Sequence, residues 1–136
     1  MADESYFWSK RLRPLLSPLG KFDRIENGLL PGMPDVVYTV QGFTSWIELK
    51  YRPEAPVRST SKVFTTQHKG LSKEQVLWWR EHLAARGTGL FVWGMGPSFY
   101  GTRVTAPLLL SFNDMTVARA DRYAVTAAGL RDLVRR

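Results

Sequence analysis

The sequence predicts an α/β domain with a mixed central sheet flanked by helices, in the order α, β, β, β, α, β. Three observations predict it. Apolar residues alternate on both sides of a Gln41-Gly42 turn, a capped helix opens at Leu71-Ser72, and an apolar run from Gly89 to Trp93 follows that helix closely. A helix lying between two strand candidates suggests a crossover within one sheet.

The elements can be justified in order. Residues 4 to 16, ESYFWSKRLRPLL, read as a first helix with Tyr6, Phe7, Leu12, Leu15 and Leu16 as core contacts. Pro14 must bend or end it, since proline lacks the backbone donor and crowds the preceding turn. A short strand is expected between Phe22 and Ile25, and ENGLLPGMP then reads as a loop from its Gly and Pro content. Asp35 to Val40 and Phe43 to Tyr51 form the hairpin, whose two-residue turn sets Val40 opposite Phe43, Val37 opposite Trp46 and Asp35 opposite Glu48. Because strand side chains alternate, Glu48 and Lys50 share one face while Ile47, Leu49 and Tyr51 take the other.

Residues 52 to 70 hold prolines, Ser, Thr and basic residues but few large apolar ones, so they read as a long, mobile, positively charged loop. In the next helix Ser72 is N-cap, Gln75 stands at N3, and Leu71 and Val76 form a hydrophobic staple. Its stripe continues through Trp79 and Leu83 and stops at Gly87, with Arg86 suiting the negative end of the dipole. Trp78 and Trp79 lie about 100° apart on it, so only one can face the main core, and an exposed one would suit a dimer interface. Residues 98 to 106, SFYGTRVTA, could pair at a sheet edge. Residues 126 to 135 look like a terminal helix capped by Thr126 and weakened by Gly129.

The chain's 136 residues, 44% hydrophobic, suit a single domain over residues 1–136. There is no cysteine, which excludes disulfides and thiolate metal sites. The acidic opening MADES is unlike a secretory signal, and no apolar run reaches the roughly 18 residues of a membrane span, so a cytoplasmic protein without membrane contact is expected. A net charge of +7 and a pI near 10.1 favour a polyanion, with nucleic acid the obvious one and a mere solubility charge the bland alternative. Basic residues gather at Lys10, Arg11 and Arg13, from Arg52 to Lys69, and at the C-terminus, while four of the twelve acids fall between Asp23 and Glu48. Acids lie where chemistry could be, and bases surround them.

A hairpin that buries Asp35, Glu48 and Lys50 needs something to compensate their charges, because an unpaired buried charge costs several kcal/mol. A divalent metal would do so. Hard Mg²⁺ takes oxygen ligands, usually one or two carboxylates completed by water and phosphate. Asp35 and Glu48 are the expected ligands, and Lys50 is a compact charge able to hold an attacking water or to stabilise a crowded phosphate. Thiol, triad, Walker and zinc-protease chemistries lack their residues, and GMGPSFYG lacks a dinucleotide-binding spacing, so no nucleotide cofactor is expected. His68 reads as solvated and His82 as a helix-surface residue.

Pro34-Asp35, twelve intervening positions and Glu48-Leu49-Lys50 together resemble the PD-(D/E)xK nuclease superfamily. The closest likeness is to small phage-type members of its VRR-NUC branch, which are similar to Holliday-junction resolvases. The resemblance covers roughly residues 24 to 93: Glu26-Asn27, Gly-x-Pro-Asp, Trp-Ile-Glu-x-Lys, a Gln opening a helix with Trp soon after, then Gly before an apolar strand. It implies a restriction-endonuclease-like αβββαβ core and a metal-dependent endonuclease using Mg²⁺ or Mn²⁺ on DNA, in recombination or repair, in a host's cytoplasm if the source is viral. It also implies the Leu49 carbonyl as a further metal ligand and Glu26 as an additional acid, with Glu4 on the first helix competing for that place. Gln75 matches the family's helix glutamine near the lysine, and also simply completes a capping box.

On this reading Lys10, Arg11, Arg13, Arg52, Arg58, Lys62 and Lys69 hold the phosphate backbone. A branched substrate such as a four-way junction needs two symmetric cuts, hence a homodimer. The competing readings are a nicking or flap nuclease, and a non-catalytic nucleic-acid binder that keeps the fold with Asp35 and Glu48 as relics.

Overall fold

The computed structural model describes residues 3–25 and 30–135. A helical segment comes first: α1 (Glu4–Tyr6), capped by the Asp3 side chain, passes through a π turn (Phe7–Leu12) into α2 (Arg13–Leu16) and a 3₁₀ turn (Ser17–Leu19). Pro14 neither ends nor breaks this run. The widened turn precedes it, with the Arg13 N–H reaching back to the Trp8 carbonyl, and Pro14 falls in the first turn of α2, where a missing donor is tolerated. Phe7, Trp8, Leu12 and Leu16 are buried, whereas Tyr6, expected in the core, is 41% exposed.

Six strands form one sheet in chain order: β1 (Lys21–Arg24), β2 (Val36–Val40), β3 (Phe43–Arg52), β4 (Leu90–Met95), β5 (Ser98–Arg103) and β6 (Ala124–Val125). Only β3 and β4 run parallel; the other neighbours are antiparallel. The β2–β3 turn has positive φ at Gln41 (53°) and Gly42 (79°), the type I′ geometry that matches strand twist. That turn sets the expected register, with Val40 opposite Phe43 and Val37 opposite Trp46. The ladder closes at Val36 and Ile47, one step short of the expected Asp35–Glu48 pair. Asp35 instead gives its carbonyl to the Ile25 N–H, continuing the β1 side.

The crossover from β3 to β4 carries α3 (Lys73–Ala84), which starts on a complete Ser72/Gln75 capping box. Its left-handed end residue is Arg86 (φ 66°) and not Gly87, so the backbone turns one position earlier than the glycine suggests. Beyond β5 follow α4 (Ala106–Ser111), α5 (Val117–Ala120) and α6 (Ala127–Val134), with Thr126 capping α6 as expected. β5 is not an edge strand, because the two residues of β6 pair outside it.

Two apolar clusters sandwich the sheet. Phe7, Leu12, Val36, Ile47, Leu49, Leu130 and Val134 fill one face, under the first helical segment and α6. Trp79, Phe91, Trp93, Leu109 and Phe112 fill the other, under α3 and α4. Each fully buried large apolar side chain contributes about 1.5–3 kcal/mol.

The segment expected to be mobile between residues 52 and 70 is tied down. Val63 and Phe64 are buried, the Val63 N–H donates to Met115 O, Val117 and Ala118 donate to Ser61 O and Ser59 O, and Lys62 bridges to Thr116. Among the described residues, no helix is long and apolar enough to cross a membrane.

Candidate active site

Where β2 and β3 separate, the Leu49 N–H is left without a ladder partner and donates to Asp35 Oδ2 at 2.7 Å. This bond fixes the Asp35 carboxylate beside Glu48. Alternation then directs Glu48 and Lys50 away from the first helical segment and toward α3, where they are only 1% and 6% exposed.

The α3 side supplies their partners. Gln75 Nε2 donates to Glu48 Oε2 at 3.1 Å, and Trp79 Nε1 donates to Glu48 Oε1 at 3.2 Å, so each carboxylate oxygen is held. Lys50 Nζ donates to Gln75 Oε1 at 3.1 Å, and the Ser72 N–H donates to the same oxygen at 2.9 Å. Gln75 therefore closes the capping box and also bridges the lysine and the glutamate. The start of α3 is pinned in turn by Asn113, whose side-chain amide donates to Leu71 O at 2.8 Å and accepts from Leu71 N at 2.7 Å.

Burial pushes the Glu48 carboxyl well above the ordinary carboxylate range, and the Asp35 charge and a hydrogen bond shared with Asp35 raise it further; Lys50 and Trp79 act in the opposite sense. Glu4, on α1, lies within electrostatic reach of Asp35 and Lys50. Burial raises its carboxyl above the usual value, Lys50 and Arg24 pull it down, and Asp35 and Asp3 push it up. Arg24, at the end of β1, has a buried Nε with no hydrogen-bond partner among the described residues.

The other expected residues are dispersed. Glu26 lies outside the described residues. Arg11, expected on the phosphate backbone, is spent within the fold: its guanidinium donates to Gly96 O (2.8 Å) and Pro97 O (2.7 Å) and lies 4.7 Å from the Phe99 ring centroid. Arg52 likewise donates to Val63 O at 3.0 Å, holding the 52–70 segment. Lys62 pairs with Asp114 at 3.1 Å, an exposed bridge of little weight. Lys10, Arg13, Arg58 and Lys69 are exposed, and Lys69 lines a groove with Thr65, Thr66 and Ser72 at the start of α3.

His82 is not a plain surface residue. Its ring stacks on Trp78 and its Nε2 lies 2.8 Å from Thr88 O. His68 sits in a turn with Thr65. Trp79 is the buried member of the tryptophan pair, as the 100° rule requires, but its polar contact with Glu48 was missed. The available signal was its i+4 spacing from Gln75, which puts both donors on one helical face.

Among the described residues no three or more His, Asp or Glu side chains group to hold a metal ion. Mg²⁺ needs only one or two carboxylates, however, and Asp35 lies close enough to Glu48 for its charge to raise the Glu48 carboxyl. The donor set fits. A larger apolar groove of about 440 Å³, between α3 and α4, lacks such paired acids. Compared with known proteins, the chain matches no family model and no curated protein.

Proposed function

We propose that the chain is a divalent-metal-dependent endonuclease of the PD-(D/E)xK type, hydrolysing DNA phosphodiester bonds at branched structures such as four-way junctions. The observation that carries this reading is the Asp35–Glu48 pair at the parting of β2 and β3, with Lys50 beside it on the same buried face. The αβββαβ order with β3 and β4 parallel supports a restriction-endonuclease-like core.

Asp35 and Glu48, with the Leu49 carbonyl, would hold Mg²⁺ or Mn²⁺. A bound divalent ion supplies charge relief on the phosphate and a more acidic water. Lys50, buried and held by Gln75, presents its ammonium where negative charge develops on the reacting phosphate. Glu4 would add to the negative field felt by Asp35 and Lys50. Exposed Lys10, Arg13, Arg58 and Lys69 would meet the phosphate backbone, so binding should weaken steeply with salt. Cutting both strands of a junction would require two copies of the chain, acting in the cytoplasm of the cell or of a virus's host.

The test is cleavage of end-labelled four-way junction, flap and linear duplex in Mg²⁺ and Mn²⁺, with a Glu48→Ala protein alongside. Paired cuts near the branch, lost in the variant, are expected. Cuts in one strand only would indicate a nicking or flap enzyme. Tight, salt-sensitive binding without cleavage of any substrate would sink the enzymatic reading.

A further inference from the structure

We infer that Trp79 is a positioning residue for the metal-ligating carboxylate, an inference that rests on the reading of Asp35 and Glu48 as metal ligands. A carboxylate on a strand can rotate about its last torsion, and a hard ion with strict octahedral demands binds well only when that rotation is stopped. Here α3 stops it from one side. Gln75 and Trp79, four residues apart, each donate to a different oxygen of Glu48, so both oxygens are held from the same helix. Each oxygen keeps a further lone pair for an ion on the Asp35 side.

Packing fixes the indole more firmly than a hydrogen bond alone would. Trp79 is fully buried, with Phe91 edge-on at 5.4 Å and Trp78 edge-on at 5.2 Å between ring centroids. Residue 89 must be glycine for this seat, since a Cβ there would collide with the six-membered ring of Trp79. An indole serving only as apolar filler could point its N–H elsewhere. This one aims it at Glu48, the one buried carboxylate among the described residues.

The experiment measures Mn²⁺ binding by calorimetry, without DNA, for wild type, Trp79→Phe and a Glu48→Ala control, with thermal melting of each. A second variant replaces Trp79 by benzothienylalanine, which keeps the bicyclic shape and removes only the N–H. Loss of an outer-shell partner typically weakens metal affinity roughly 10–100-fold, and both Trp79 variants should show such a loss. The benzothienyl protein should melt close to wild type. Titration with Mg²⁺ should also shift one indole N–H resonance, the one missing from Trp79→Phe.

Wild-type affinity in the benzothienyl variant, with binding abolished by Glu48→Ala, would overturn the positioning role and leave the metal site standing. No Mn²⁺ binding by the wild type would overturn both.

Discussion

The two faces of β3 make opposite use of the same ten-residue strand. Ile47 and Leu49 point toward the first helical segment and α6, where their burial is apolar and unconditional. Glu48 and Lys50, interleaved with them and also buried, point toward α3 and survive there because Gln75 and Trp79 donate to Glu48 while Lys50 donates to Gln75. Burial depth alone therefore does not say what a position is for. One face holds the sheet together, and the other holds charge that water would otherwise solvate.

That contrast can be broken most sharply on the polar face. Glu48→Gln should lower cleavage by at least about a hundredfold while the protein still folds, measured as single-turnover rate beside circular dichroism. A variant that cut normally would place the chemistry elsewhere. On the apolar face Leu49→Ala should cost about 2–5 kcal/mol in urea unfolding, with the activity per folded molecule largely kept. Strong loss of activity in a fully folded Leu49→Ala protein would blur the distinction between the faces.

The pH dependence sharpens it further. Because the folded Glu48 carboxyl is raised, the native state holds a proton that the unfolded chain has released. Stability of the metal-free protein is then fully present below the ordinary carboxylate value of about 4.3 and falls as pH rises through the elevated one. Melting temperatures in chelator should decline with pH, Mg²⁺ should reverse the decline, and Glu48→Gln should flatten it. A rising profile in chelator would mean that the folded Glu48 carboxyl is not raised.

The smallest effect concerns the surface. Lys69→Ala or Arg58→Ala should each reduce the salt slope of DNA binding by about 1. Arg11→Ala should leave that slope alone and lower the melting temperature, since its guanidinium already serves Gly96, Pro97 and three aromatic rings.

Much of this site was legible because its logic is local. Alternation alone puts Glu48 and Lys50 on one face, the Ser72-x-x-Gln75 box announces α3, and Gln41-Gly42 fixes the hairpin register. The rest depends on contacts distant in sequence. Arg11 reads as a free cation until residues 96 and 97 arrive 85 positions later. The 52–70 segment reads as loose because its anchors, Met115 to Ala118, lie about 50 residues on and it offers no periodicity of its own. A strand of two residues, such as β6, is too short to carry a pattern.

The π turn Phe7–Leu12 sets an angular phase for everything ahead of it. Its extra residue per turn lets Phe7 share a face with Leu12, so Phe7 stacks on Tyr51 with centroids 4.9 Å apart and Glu4 comes round to the charged end of the sheet. Removing one residue from this turn, for example exposed Ser9, would restore ordinary winding and rotate the preceding residues by roughly 100°. Leu12 and Leu16 would stay seated while Glu4 swung away. The chemical identity of Ser9 is thus nearly free to drift, but its existence as a spacer is not.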